Sequence, residues 1–168
     1  TGGVIEHARL FEEIKNKAVQ FDSLVKVSKS ITSEDYLDEI LNLIVVVTSE
    51  MLNSKICSIM LLDGKHNEEL IIKATQALSE EYKKKPNVKI EENVVGEVVR
   101  TKKPIMIADV RKDKRYFYRE IAKKEKLTSM VAIPMMVRKK VVGVINVYTE
   151  KVHDFTDEEI NVLQMVAN

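Results

Sequence analysis

Hydrophobic positions along the chain change period several times, and each change marks an element. Phe11, Ile14, Ala18, Phe21, Val25 and Ser28 are spaced three and four apart, with charged residues between them and no Pro from Val4 to Ile31. This is a heptad seam, and it predicts a long helix. Two readings fit it. It is an amphipathic helix packed on its own domain, or a parallel dimer seam made by Phe11, Ile14, Ala18, Phe21 and Val25. A second helix is predicted from Ser33, with that serine as N-cap. Tyr36, three residues on, cannot complete a capping box there. Leu37, Ile40, Leu41, Ile44, Val45 and Val47 carry its buried stripe towards Leu52.

The period then shortens. Lys55 to Leu62 is apolar on both faces, which predicts a central strand covered on each side. Asp63-Gly64 opens a turn, and Leu70 to Thr75 is the returning strand. Leu78 to Pro86 is a polar, lysine-rich connection, followed by a short strand at Val88 to Ile90. Asn93 to Thr101 predicts a short helix stopped by Pro104, and Ile105 to Ile107 a strand. A charged loop, Asp109 to Arg115, precedes a helix predicted over Tyr116 to Lys124. Thr128 to Val137 and Val141 to Tyr148 are strands joined by Arg138-Lys139-Lys140. Thr156 and Glu159 form a capping box that opens a last helix, with Ile160 and Leu163 on its apolar side. The order predicts an α+β plan: a mainly antiparallel sheet with helices from both chain ends on one face. Residues 78–126 are the only material left for the other face, and an irregular roof leaves room for a pocket.

Composition narrows the chemistry. A chain of 168 residues that is 45% hydrophobic can bury a core without disulfides or metals. A net charge of +1 argues against a globally basic nucleic-acid binder. The single cysteine, Cys57, excludes an internal disulfide and a Cys-based zinc site, and suggests a reducing, cytoplasmic compartment. His7, His66 and His153 have no ligand spacing, so no metal site is expected. No apolar run is long enough for a bilayer, so no membrane partner is expected. Charge is uneven along the chain: residues 100–126 hold eleven basic side chains against four acidic ones. A basic lid would steer an anionic ligand; a solvated lysine-rich surface explains the same residues. Tyr116-Phe117-Tyr118 within this stretch raises single-strand nucleic-acid stacking as a remote option.

Val94-Val95-Gly96-Glu97-Val98-Val99-Arg100-Thr101-Lys102-Lys103-Pro104-Ile105, then Ile107-Ala108-Asp109-Val110, resembles the middle motif of GAF domains. Ser129-Met130-Val131-Ala132-Ile133-Pro134 and Val142-Gly143-Val144-Ile145-Asn146-Val147 resemble their last hairpin. Phe155-Thr156-Asp157-Glu158-Glu159 is similar to their closing helix. The resemblance runs from about residue 21 to the end of the chain. It implies a six-stranded antiparallel GAF-type sheet, with N- and C-terminal helices on one face and short helices and loops over a small-molecule pocket on the other. It divides the chain into a signalling or linker helix, 1–31, that would continue from a preceding domain, and a GAF domain, 32–168. By the same resemblance the ligand-binding residues are Ser58, Thr75, Val94, Val95, Tyr118, Thr128, Ser129 and Asn146.

Catalysis is not expected. No Ser-His-Asp set, paired carboxylates or Gly-rich phosphate loop stands out, and the one GAF activity that relies on several cysteines has only Cys57 to draw on. Ser58 follows Cys57, which disfavours bilin attachment, and His66 and His153 fall in predicted turns, which disfavours haem. Asn146 is followed by Val147, which breaks the cyclic-nucleotide motif of phosphodiesterase GAF domains without closing that option. The expectation is a non-catalytic sensor domain that binds a small ligand, an anion among the candidates. It would relay the signal through its terminal helices to a homodimer partner and to an output domain outside this chain. The alternative is a ligand-free dimerisation or scaffold module in a kinase or transcription regulator.

Overall fold

The computed structural model describes residues 6, 8–17, 20 and 32–168. Residues 8–17 are helical and are called α1. Of the proposed seam, Phe11 is half-buried and Ile14 buried within one chain, while Ala18, Phe21 and Val25 lie outside the described residues.

Helix α2 spans Ser33–Met51. Its cap lies one residue earlier than the sequence suggests. The Thr32 side chain accepts from the Asp35 backbone N–H at 3.1 Å, and the Asp35 carboxylate accepts from the Thr32 backbone N–H at 3.2 Å. Asp takes the place of the usual Glu or Gln and still closes the box. Leu41, Val45 and Thr48 form the buried stripe, and Leu37, expected on it, is exposed.

Six strands follow: β1 (Ile56–Leu62), β2 (Glu69–Thr75), β3 (Val88–Lys89), β4 (Ile105–Ile107), β5 (Ser129–Val137) and β6 (Lys140–Thr149). All pairs are antiparallel, in the order β3-β2-β1-β6-β5-β4. β1, apolar on both faces apart from Ser58, therefore sits in the middle with β6 beside it, as its two-faced hydrophobicity requires. The β5–β6 hairpin turns on Arg138 and Lys139, whose φ values of 48° and 66° give the mirror-image turn that suits strand twist. Between β2 and β3 the chain does not run as a plain connection. It folds into a one-turn helix, α3 (Glu80–Lys83), capped by Ser79. Helix α4 spans Asn93–Thr101 and α5 Arg119–Lys124, so Tyr116, Phe117 and Tyr118 precede α5 instead of starting it. Helix α6 spans Asp157–Ala167 and begins with the expected Thr156–Glu159 capping box.

Residues paired across an antiparallel sheet share a face, and alternate residues change face. One face carries Cys57, Ile59, Val131, Ile133, Ile145 and Val147, covered by Leu41 and Val45 of α2 and Leu163 and Ala167 of α6. The other carries Ile56, Met60, Met130, Ala132, Val144 and Tyr148, covered by Tyr82 of α3, Val94, Val95 and Val98 of α4, Tyr116, and Ala122 of α5. Helix α4 lies close on the turn after β3: a Cβ at Gly96 would overlap the Ile90 carbonyl. Only glycine permits that approach.

Candidate functional site

The roofed face of the sheet holds the polar groups. Ser58 of β1 pairs with Asn146 of β6 on one side and with Thr75 of β2 on the other. Ser58 and Asn146 are each 1% exposed. Alternation puts both on the face of Met60, Val144 and Tyr148. The Ser58 hydroxyl shares a 3.0 Å hydrogen bond with the Tyr82 hydroxyl. The Asn146 Oδ1 is buried and has no hydrogen-bond partner. An unpaired buried carbonyl oxygen costs about 1–3 kcal/mol, and a ligand N–H would recover it.

Above these groups stand four tyrosines from three separate stretches of chain. Tyr82 comes from α3, Tyr116 and Tyr118 from the approach to α5, and Tyr148 from β6. Tyr82, Tyr116 and Tyr148 are each 1% exposed. Their rings meet edge to face, with centroids 6.1 Å apart for Tyr82–Tyr148 and for Tyr116–Tyr148. Tyr116 donates to the Tyr148 hydroxyl oxygen at 3.3 Å.

Into this group reaches one cation. The Lys85 ammonium lies 4.0 Å from the Tyr82 ring centroid, 5.1 Å from Tyr118, 5.6 Å from Tyr116 and 5.7 Å from Tyr148. It donates one hydrogen bond, to the Tyr116 hydroxyl at 3.3 Å. The residue as a whole is only half-buried. A surface lysine normally buries its stem and keeps its head in water; here the charged head is the innermost part. Burial pushes the ammonium down to about 7. The same burial pushes the phenols of Tyr82, Tyr116 and Tyr148 up, so all three stay neutral hydroxyls around the cation.

The sequence-derived ligand residues divide. Ser58, Asn146 and Tyr118 come together here, and Val94 and Val95 belong to the roof packed above the same face. Thr75 stands level with Ser58, but its hydroxyl is engaged with the Cys57 carbonyl at 3.2 Å. Thr128 and Ser129 do not join the group. The Thr128 hydroxyl donates to the Glu150 carbonyl at 2.7 Å. Ser129 alternates onto the face of Val131 and Ile133; it donates to the Ala108 carbonyl at 2.7 Å and accepts from the His153 N–H at 2.9 Å. Both act as loop clamps. Tyr82, Lys85, Tyr116 and Tyr148 were missed as site residues. One available signal is economy: of five tyrosines in the chain, all but Tyr36 gather here.

Part of the basic stretch over the roof is paired with carboxylates, four of its eleven basic side chains at 2.9 Å or less. Arg111 pairs with Asp109 at 2.8 Å, Arg115 with Asp113 at 2.9 Å, Lys123 with Glu120 at 2.9 Å and Lys124 with Glu81 at 2.9 Å. Cys57 is buried, and burial raises its thiol far above the range where a thiolate forms. Among the described residues, no cluster of three or more His, Cys, Asp or Glu side chains could hold a metal ion, and no helix is long and apolar enough to cross a membrane.

The family model for the GAF domain matches residues 34–168. A phosphoenolpyruvate-dependent phosphotransferase system protein of Escherichia coli (strain K12) is 25% identical over 145 residues, which is 86% of this chain and 19% of that protein. The chain thus spans about a fifth of that relative's length. Among solved structures, the GAF domain of a phosphoenolpyruvate-protein phosphotransferase from Coxiella burnetii superposes with a TM-score of 0.78 at 22% identity, covering 98% of this chain and 89% of that one. A free methionine-R-sulfoxide reductase from Neisseria meningitidis, solved with its substrate, gives a TM-score of 0.65 at 16% identity, covering 92% of this chain and 83% of that one. These structural likenesses speak to the fold alone.

Proposed function

This chain belongs to the GAF domain family, and from that premise we propose that it is a non-catalytic sensor module whose ligand binds between the sheet and the roof formed by α3, α4 and α5. The observation that carries the proposal is the Asn146 Oδ1, buried without a partner on the roofed face beside the Ser58–Tyr82 pair. A domain that used this face only for packing would gain by an apolar residue there. A ligand that binds one roof arrangement better than another shifts the population between them. Helices α2 and α6 pack on the opposite face of the same central strands and would carry that shift outward. The sole cysteine is buried and held as a thiol, which supports a regulatory over a reductase role.

The test is thermal unfolding of the purified chain against a panel of amines, amino acids, carboxylates and nucleotides. At least one compound should raise the melting temperature of the wild type, and Asn146→Leu should abolish that rise while folding normally. A panel without any effect, or an effect that survives Asn146→Leu, overturns the proposal. A second reading, a ligand-free dimerisation module, draws on the three buried tyrosine rings that fill much of the same space. Dimerisation through the N-terminal helix is proposed under both readings. Phe21→Glu should lower the sedimentation coefficient to that of a monomer; a wild type that is already monomeric removes the seam.

A further inference from the structure

The segment between β2 and β3 does something that neither sheet nor roof requires. It sends one lysine head into an aromatic chamber where, among the described residues, no carboxylate pairs with it. The contacts of that ammonium are the faces of Tyr82, Tyr116, Tyr118 and Tyr148 and the Tyr116 hydroxyl. Ring faces carry the negative lobe of the aromatic quadrupole, and several around one point make a cage for an ammonium ion. At the sheet side of the chamber the unsatisfied group is again electron-rich: the Asn146 Oδ1, an acceptor that lacks a donor. Asn146 is two residues from Tyr148 on the same face and opposite Ser58, whose hydroxyl touches Tyr82. Rings, phenol oxygens and a free carbonyl oxygen all favour positive charge and N–H donors.

We propose that this chamber is a binding site for a small organic ammonium ion, and that Lys85 is a tethered ammonium that fills it until such a ligand displaces it. The inference rests on the sensor reading above and adds the ligand's chemical class and the means of release. The tether is built to leave. Lys85 lies in a connector between the one-turn α3 and the two-residue β3, with Lys84, Pro86 and Asn87 exposed around it. The connector is held by the Lys84 N–H donating to the Glu80 carbonyl at 3.0 Å, the Lys85 N–H to the Tyr82 carbonyl at 3.2 Å, the Asn87 amide to the Glu69 carboxylate at 3.1 Å and Tyr118 to the Pro86 carbonyl at 3.3 Å, and none of these is made by the Lys85 side chain. Withdrawing the side chain opens its own path from solvent to the rings. The fit also suggests a preference. Tyr82 is in contact at 4.0 Å, but the other three centroids stand at 5.1 to 5.7 Å. Methyl groups on the nitrogen would close those gaps, so a methylated head should bind better than a bare one.

The experiment compares the wild-type chain, Lys85→Ala and Lys85→Met, each titrated with tetramethylammonium chloride and butylammonium chloride against matched sodium chloride. Binding is followed by tyrosine fluorescence and by melting temperature. Lys85→Ala empties the chamber and should bind tetramethylammonium at least tenfold more tightly than the wild type, and more tightly than butylammonium. Lys85→Met keeps an uncharged side chain in place and should bind at least tenfold more weakly than Lys85→Ala. Adding Tyr148→Leu to Lys85→Ala should remove the response. No response in Lys85→Ala, or equal responses in all three chains, overturns the inference. So does stabilisation of the wild type by acetate or phosphate that is lost in Lys85→Ala, because Lys85 would then be a counter-ion for an anion. A wild type that still answers to a metabolite through Asn146, while Lys85→Ala ignores both ammonium probes, sinks this inference and leaves the sensor reading standing.

Discussion

On the α2/α6 side of the sheet, Ile59 of β1, Val131 and Ile133 of β5 and Ile145 and Val147 of β6 meet Leu41, Val45 and Leu163, and all these side chains are apolar and buried. One residue along the same strands, on the roofed side, stand Ser58, Asn146 and Tyr148, equally buried and rich in oxygen. Burial alone therefore does not separate core from site. The difference lies in what covers each face. Long helices with aliphatic stripes close the first side completely. Short helices and loops close the second with tyrosines and a lysine head. One face is arranged for stability, and that leaves the other free to keep groups that an apolar core would not tolerate.

The largest expected effect is on the helix side. Ile145 is 0% exposed and lies among the side chains of that cluster. Ile145→Ala removes three carbons from a close-packed layer and should cost about 2–5 kcal/mol, through lost transfer energy and a residual cavity. Urea unfolding checks it. A cost below about 1 kcal/mol would mean that this face is as loosely packed as its opposite, against the density expected of interiors.

The next effect is on the roofed side and depends on pH. The unfolded chain holds the Lys85 proton up to 10.5, whereas the folded chain holds it only to about 7. Between those values the unfolded state binds more protons, so stability rises with pH across this window. The limiting slope is about 1.4 kcal/mol per pH unit. The ring faces pull the other way by favouring the ammonium, which narrows the window from below. Among the facing groups, Tyr82, Tyr116, Tyr118 and Tyr148 are all shifted up and stay neutral, and Glu92 acts on Tyr118. Lys85→Met should flatten the rise between pH 7 and 9 in urea midpoints. An identical slope in both chains would show that the ammonium is not desolvated.

These two sides were not equally legible in the sequence. The strands of the helix-covered face announce themselves: Cys57, Ile59 and Leu61 of β1 and Ile145 and Val147 of β6 are all apolar, and α6 carries its capping box in plain view at Thr156 and Glu159. Even the misplaced start of α2 differs by a single residue, because Thr32 and Ser33 are both good caps and Asp35 can reach only one of them. The roofed face hides its design. Helix α3 has four residues, too few for any period to show. Lys83, Lys84 and Lys85 read alike as a solvated run, yet only Lys85 turns inward. Its partners sit at positions 82, 116, 118 and 148, so the cage exists only once β6, α3 and the approach to α5 are brought together. Ser129 lies apart from the group on the roofed face for the opposite reason. It sits in a strand of the right hairpin, but strand alternation turns it to the helix side, and a shift of one residue is a change of face.

The smallest effect separates the two faces most cleanly. Among the described residues, each side carries one buried oxygen without a hydrogen-bond partner: Thr48 Oγ1 on α2 and Asn146 Oδ1 on β6. Thr48 is 0% exposed and falls seven residues after Leu41 and three after Val45, on the stripe that faces the sheet. Thr48→Val keeps the shape and deletes the hydroxyl. Asn146→Leu keeps the branched skeleton, is larger, and replaces the whole amide with methyl groups. Removing an unsatisfied polar atom in this way is neutral or stabilising, and each substitution should raise stability by about 0–1 kcal/mol in urea unfolding. By stability alone the two orphans are the same defect. By ligand response they should part. Thr48→Val should leave any ligand-induced rise in melting temperature untouched, since α2 lies across the sheet from the chamber, and Asn146→Leu should abolish it. If both substitutions leave the response intact, Asn146 is an idle irregularity like Thr48, and the chemical contrast between the two faces has no bearing on binding.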